Sequence, residues 1–194
     1  MSARLRGIAR RTEEIVAAGR YRLPGGDGDD GEGREVSIAA AVGAARAGTR
    51  MYGPGPVPQR DRTAVRDAPR GGTLIEVTGE SSLEAARRLA RTGREPAVLN
   101  FASARNPGGG HLNGAQAQEE ALCRASALYT CLLEAREFYE HHRAHRDPFY
   151  TDRVIHSPGV PVFRDDRGAL LDEPYTAGFL TAAAPNAGVV RRTA

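Results

Sequence analysis

The chain has 194 residues, 40% of them hydrophobic and 26% charged, with a formal net charge of +3. That composition is ordinary for one globular domain large enough to bury its own core. No apolar run reaches the length of a bilayer span, so no membrane association is expected. The amino-terminal MSARLRGIARRTEE has charge but no apolar signal region, and a cytoplasmic chain is the expectation. All 27 basic residues are arginine, scattered rather than striped, which argues against a nucleic-acid-binding face.

In chain order, residues 3–18 are predicted as a helix with Leu5, Ile8, Ile15 and Val16 as a partial apolar stripe. YRLPGGDGDDGEGRE has no periodicity and reads as a loop, residues 36–47 as a short helix, and residues 53–72, broken by Pro and Gly, as irregular. TLIEVT (73–78) reads as a buried strand. Ser81 and Glu84 then form an S-x-x-E capping box for a helix closed by Gly93. PAVLNFAS (96–103) is a second strand, followed by a glycine run and a long helix from Ala115 to Glu134. The apolar residues of that helix are Leu122, Ala125, Leu128, Tyr129 and Leu132.

Strand, helix and strand over 73–103 predict a βαβ unit with its two strands parallel. Residues 153–163 and 178–185 are two more strand candidates, with a turn at DDRG (165–168) between them. The fold class is α/β. The expected organisation is a helical and irregular segment over 1–72 packed on a core over 73–194. Cys123 and Cys131, eight apart in the expected long helix, would be roughly 12 Å apart, too far for a disulfide.

The stretch with most chemical content is NPGGGHLNGAQAQEE (106–120). Glycines after a strand and before a helix let backbone N–H groups form an anion nest, which the helix dipole reinforces. The same glycines also suit a plain tight turn, and both readings stand at this point. No Gly-Lys-Ser/Thr follows, and the spacing is not that of a dinucleotide fingerprint. Glu119 and Glu120 fall in the first helical turn, where carboxylates favour the macrodipole. Adjacent helical residues diverge by roughly 100°, so one carboxylate can face a ligand at the loop while the other grips a neighbouring group. A ribose suits such a pair, offering hydroxyls to one acid and a scissile C1–O bond to the other.

Gly-Gly-Gly, seven residues and Gln-Glu-Glu resemble the signature of poly(ADP-ribose) glycohydrolases, and VLNFASARNPGGGHLNGAQAQEEALCRASALYTCL resembles their microbial branch. The resemblance runs from about Arg4 onward and is strongest over 73–186. It implies a macrodomain-like mixed sheet sandwiched between helices. It implies Glu120 as the catalytic acid and base on a ribose–ribose bond, and Glu119 as the residue holding the ribose hydroxyls. By the same resemblance Gly108, Gly109 and Gly110 lie against the diphosphate and distal ribose, with Gln118 beside them. Glu76 falls where such folds place an adenine-reading acid, and Asn100 and Asn106 are candidates for the distal ribose. No cofactor or metal is implied. The implied ligand is ADP-ribose or its polymer, carried on a protein or a nucleic acid. An ADP-ribose-binding fragment without turnover is the alternative, because the microbial enzymes continue into a second glycine-rich loop where this sequence ends at APNAGVVRRTA. The fold is therefore expected to be incomplete at its carboxyl end.

In EHHRAHRD, His141 and His145 have i, i+4 spacing, but interleaved Arg143 and Arg146 point to a solvated helix face rather than a metal site. His111 can line the glycine loop. His156 reads as a strand end.

Overall fold

The computed structural model describes residues 2–25, 33–57, 73–145, 147–185 and 187–193. Helix α1 (Ala3–Ala18) lies where the apolar stripe predicts it. Its N-cap, Ser2, accepts the Leu5 amide, and Gly19 ends it in the left-handed region at φ 67°. Strands β1 (Arg20–Arg22) and β2 (Glu35–Ser37) then pair antiparallel. This corrects the loop reading at both ends of the Gly- and Asp-rich stretch, whose middle lies outside the described residues. Three-residue strands are too short to show alternation. The pairing is anchored by Tyr21, buried, whose hydroxyl donates to the Leu171 carbonyl at 2.6 Å.

Helix α2 (Ala39–Gly48) leads into β3 (Arg50–Tyr52), the short edge strand of the main sheet. That sheet has the order β3-β5-β6-β4, with β4 at Ala97–Ala102, β5 at Val154–Arg164 and β6 at Leu170–Ala183. Its fold is mixed α/β. Strands β3 and β5, and β5 and β6, are antiparallel, while β4 and β6 are parallel. The predicted turn at 165–168 joins β5 to β6, with Gly168 at φ 87° and its amide donating to Asp165. Most of 53–72 lies outside the described residues.

The expected strand over 73–78 is not formed. Leu74, Ile75 and Val77 are 78, 84 and 97% exposed, and the parallel partner of β4 is β6. Apolar composition favours a strand only where a neighbouring strand takes its backbone groups, and none of the described strands flanks this segment. Helix α3 (Ser82–Ala90) follows with both hydrogen bonds of the Ser81–Glu84 capping box in place, and Gly93 lies just beyond it at φ 75°.

The predicted long helix is also divided. A 3₁₀ turn at His111–Asn113 precedes α4 (Gln118–Ala125) and α5 (Leu128–Leu132). The break comes at Ser126, which is extended and bridges Val162 of β5, while the Ala127 amide donates to the Pro161 carbonyl at 3.1 Å. The sheet thus takes two residues out of a helical period that the side chains still keep: Leu122, Ala125, Leu128 and Leu132 are all buried. Cys123 and Cys131 are buried free thiols on separate helices. Helices α6 (Arg136–Ala144) and α7 (Ala187–Thr193) complete the order.

In α6 the solvated-face reading holds only in part. His142 is buried, its Nδ1 2.8 Å from the Phe138 carbonyl and its Nε2 3.0 Å from the Thr151 hydroxyl. His141 and His145 stack on each other, and Arg146 lies outside the described residues. Along β4, Val98, Asn100 and Ala102 point into the core, while Leu99 and Phe101 remain 47 and 60% exposed. No helix among the described residues is long and apolar enough to cross a membrane.

Candidate active site

Strand β4 ends at Ala102 and delivers the chain into a tight loop at the carboxyl end of the parallel pair, where open α/β sheets hold their ligands. The Ser103 hydroxyl accepts the Asn106 amide at 3.1 Å, and the Asn106 carbonyl accepts the Gly109 amide at 3.0 Å. Gly108 and Gly109 take φ of 66° and 57°, a region closed to most side chains. The loop therefore folds back over the start of α4.

Both carboxylates of α4 reach this loop. Glu119 accepts the Ser103 amide on Oε2 at 2.7 Å and the Gly108 amide on Oε1 at 3.1 Å. Glu120 accepts the Gly110 amide on Oε1 at 2.9 Å, and its Oε2 is buried with no hydrogen-bond partner. Helix α4 has no side-chain cap at Ala117, so its acids serve the loop in front of it rather than its own first amides. Burial pushes the Glu119 carboxyl up to about 7, and the Glu120 charge adds to this. The Ser103 and Gly108 amides and the Asn100 side chain pull it back.

This geometry changes the expected part of the glycines. The amides of Gly108, Gly109 and Gly110 are already engaged, by Glu119, by the Asn106 carbonyl and by Glu120. The nest holds the protein's own carboxylates, because the acids that follow it in sequence fold back within reach.

Asn100 is fully buried beneath the pair, donating to the Thr181 hydroxyl at 3.1 Å, and its Oδ1 has no partner. Gln118 turns instead to the outer edge of β4. It accepts the Phe101 amide at 2.9 Å and donates to the Leu99 carbonyl and the Ser82 hydroxyl, both at 3.0 Å, much as a neighbouring strand would. Asn106 is exposed at the outer turn of the loop. Glu76 lies on the segment before α3, 3.5 Å from Arg88, and is not among the residues that meet at the loop. Ser103 had no motif to announce it, although its place just past a strand end is a signal of the right kind.

Two cavities, of about 440 and 290 Å³, lie elsewhere. One is lined by Ala45, Glu95, His156 and Gly178 and the other by Arg87, Arg164 and Tyr175. The hydrogen bonds to the loop, rather than a large enclosed volume, single out the carboxylate pair.

Residues 9–165 match the family model for the catalytic domain of microbial-type PARG, poly(ADP-ribose) glycohydrolase. The chain belongs to this family. Among solved structures, the poly(ADP-ribose) glycohydrolase of Thermomonospora curvata bound to the inhibitor ADP-HPD is 48% identical, with a TM-score of 0.83 over 97% of this chain and 66% of that one. A second structure of the T. curvata glycohydrolase is 46% identical, with a TM-score of 0.86 over 100% of this chain and 68% of that one. The Deinococcus radiodurans glycohydrolase in complex with ADP-ribose is 43% identical, with a TM-score of 0.68 over 81% of this chain and 63% of that one. Comparison with curated proteins gives no match. The chain thus spans about two thirds of the length of its solved glycohydrolase relatives.

Proposed function

We propose that this chain carries the catalytic centre of a poly(ADP-ribose) glycohydrolase, a glycosidase acting on the ribose–ribose O-glycosidic bonds of the polymer. The observation that carries the reading is the convergence of Glu119 and Glu120 on the glycine loop, with one carboxylate oxygen, Glu120 Oε2, free of any partner. A carboxyl anchored by one oxygen, with the other buried and unpaired, is suited to general acid–base work on a ligand that reaches it. Glu120 donates its proton to the leaving 2′-oxygen while positive charge develops at C1″, and then takes a proton from the attacking water. Glu119, fixed by two amides, keeps lone pairs for ribose hydroxyls and orients the sugar. Gly108, Gly109 and Gly110 let the diphosphate and distal ribose approach because they carry no side chains, not because their amides are vacant. The same reading assigns Asn106, exposed at the outer turn of the loop, and Asn100, buried behind Glu119, to the polar surroundings of the distal ribose. The sheet and loop supply a macrodomain-like frame, and the substrate is ADP-ribose polymer on a protein or a nucleic acid.

A second reading is recognition of ADP-ribose without turnover. It is favoured by the burial of Glu120 Oε2, which a substrate oxygen would have to reach. Calorimetric titration with ADP-ribose alongside a polymer-cleavage assay separates the two. The glycosidase reading expects cleavage by the parent and a loss of about 10²–10⁴-fold in Glu120→Gln, with ADP-ribose binding retained. Saturable binding with no product from the parent would favour the binding module, and equal cleavage by Glu120→Gln would remove Glu120 from the mechanism.

A further inference from the structure

His111 follows the glycine loop and is 1% exposed, an expensive place for a ring with two polar nitrogens. Its Nδ1 lies 3.2 Å from the Gly108 carbonyl. Its Nε2 faces Oε1 of Glu13, on α1, at 3.5 Å, and neither of these two buried atoms has a hydrogen-bond partner. The ring packs against Tyr129 with centroids 4.5 Å apart. A β-carbon on Gly108 would come within 2.8 Å of His111 Nδ1 and 3.0 Å of Tyr129. The imidazole is therefore wedged against Gly108, the residue whose amide donates to Glu119.

We propose that Glu13 and His111 are a positioning pair for the catalytic loop. They hold the Gly108 carbonyl so that the Gly108 amide stays aimed at Glu119. Nδ1 serves the Gly108 carbonyl, and the Glu13 carboxyl faces Nε2 from α1. With one ring nitrogen on the loop backbone and the other turned to the Glu13 carboxyl, the imidazole is held from both sides, as a second acid orients many functional histidines. Helix α1 is itself tied down beside α4 and β5: the Thr12 hydroxyl donates to the Arg124 carbonyl at 2.7 Å and accepts from Arg164 at 2.9 Å. The effect of this pair on catalysis rests on the glycosidase reading, whereas its effect on the loop does not.

The test compares Glu13→Ala, Glu13→Gln and Glu13→Met with the parent by polymer-cleavage kinetics and by residue-level amide exchange at Gly108 and Gly110. Glu13→Ala and Glu13→Met should lower kcat by up to about 10²-fold, the scale of a small misplacement at a reacting centre. Their KM should stay near the parent value and exchange at Gly108 should be faster. Glu13→Gln, which can still bond to Nε2, should recover most of both. Glu13→Met fills the same space without an acceptor and replaces Glu13→Ala if that variant does not fold. Parental kcat and parental exchange in Glu13→Met would overturn the proposal. If the parent cleaves no polymer, the functional reading has failed, and exchange at Gly108 alone decides the pair: faster in Glu13→Met supports it and unchanged overturns it.

Discussion

Gly109 packs directly on Glu120: a β-carbon there would lie 2.5 Å from Glu120 Oε1 and 3.0 Å from Glu119 Oε2. The backbone and the two carboxylates share a space that no side chain can enter.

Gly109→Ala should therefore cost more in function than in stability. The left-handed φ of 57° adds about 1–2 kcal/mol of strain. The contact itself is relieved by moving the flexible end of Glu120, which displaces the proposed acid by more than half an ångström. On the proposed function, cleavage should fall by about 10²-fold, with a denaturation midpoint only modestly lower. Normal cleavage in a folded Gly109→Ala variant would show that the contact is not needed.

Glu119 makes stability depend on pH with a defined sign. Its folded value is raised from the ordinary 4.5 to about 7, so the folded state holds this proton more tightly than the unfolded chain does. The stabilisation is fully present below pH 4.5 and is lost as pH rises through about 7, on the order of 3 kcal/mol in all. Glu119→Gln should flatten that part of the profile. Its absolute stability should also be lower, because an amide can accept from only one of the Ser103 and Gly108 amides. Urea midpoints between pH 4.5 and 8 for the two proteins check this, and parallel profiles would contradict it.

Gln118→Ala should destabilise by about 1–2 kcal/mol, since it loses bonds to Phe101, Leu99 and Ser82 at a partly wet edge where water replaces some of them. Gln118→Glu should not restore stability, because it sets an oxygen against the Leu99 carbonyl. A shift in urea midpoint at unchanged m-value is the expected signature. A parent-like midpoint for Gln118→Ala would mean that the edge does not need this side chain.

The two cysteines should be silent in the native protein. Burial drives the Cys123 thiol well above its ordinary range and pushes Cys131 up to about 11, so neither is a thiolate at neutral pH. A chromogenic thiol reagent should find no fast-reacting group until denaturant is added and two thereafter. A rapid native phase would show that one helix opens readily.

What the linear chain determined was local. The capping box at Ser81, the helix end at Gly93, the turn at 165–168, strand β4 and the glycine-to-carboxylate motif depend on neighbours a few residues apart, so composition and spacing carry them. The burial of Leu122, Ala125, Leu128 and Leu132 was legible in the same way, from helical period alone. Tertiary contact decided the rest. Residues 73–78 are apolar enough for a strand but pair with none of the described strands, β4 pairs with β6 far along the chain, and β5 splits a helix by capturing Ser126 and Ala127. At the site, the motif placed the acids beside the glycines, but only the folded loop committed those amides to Glu119 and Glu120. Glu13 reached the loop through the packing of α1, with no sequence signal, because a contact across 98 residues leaves no period to read.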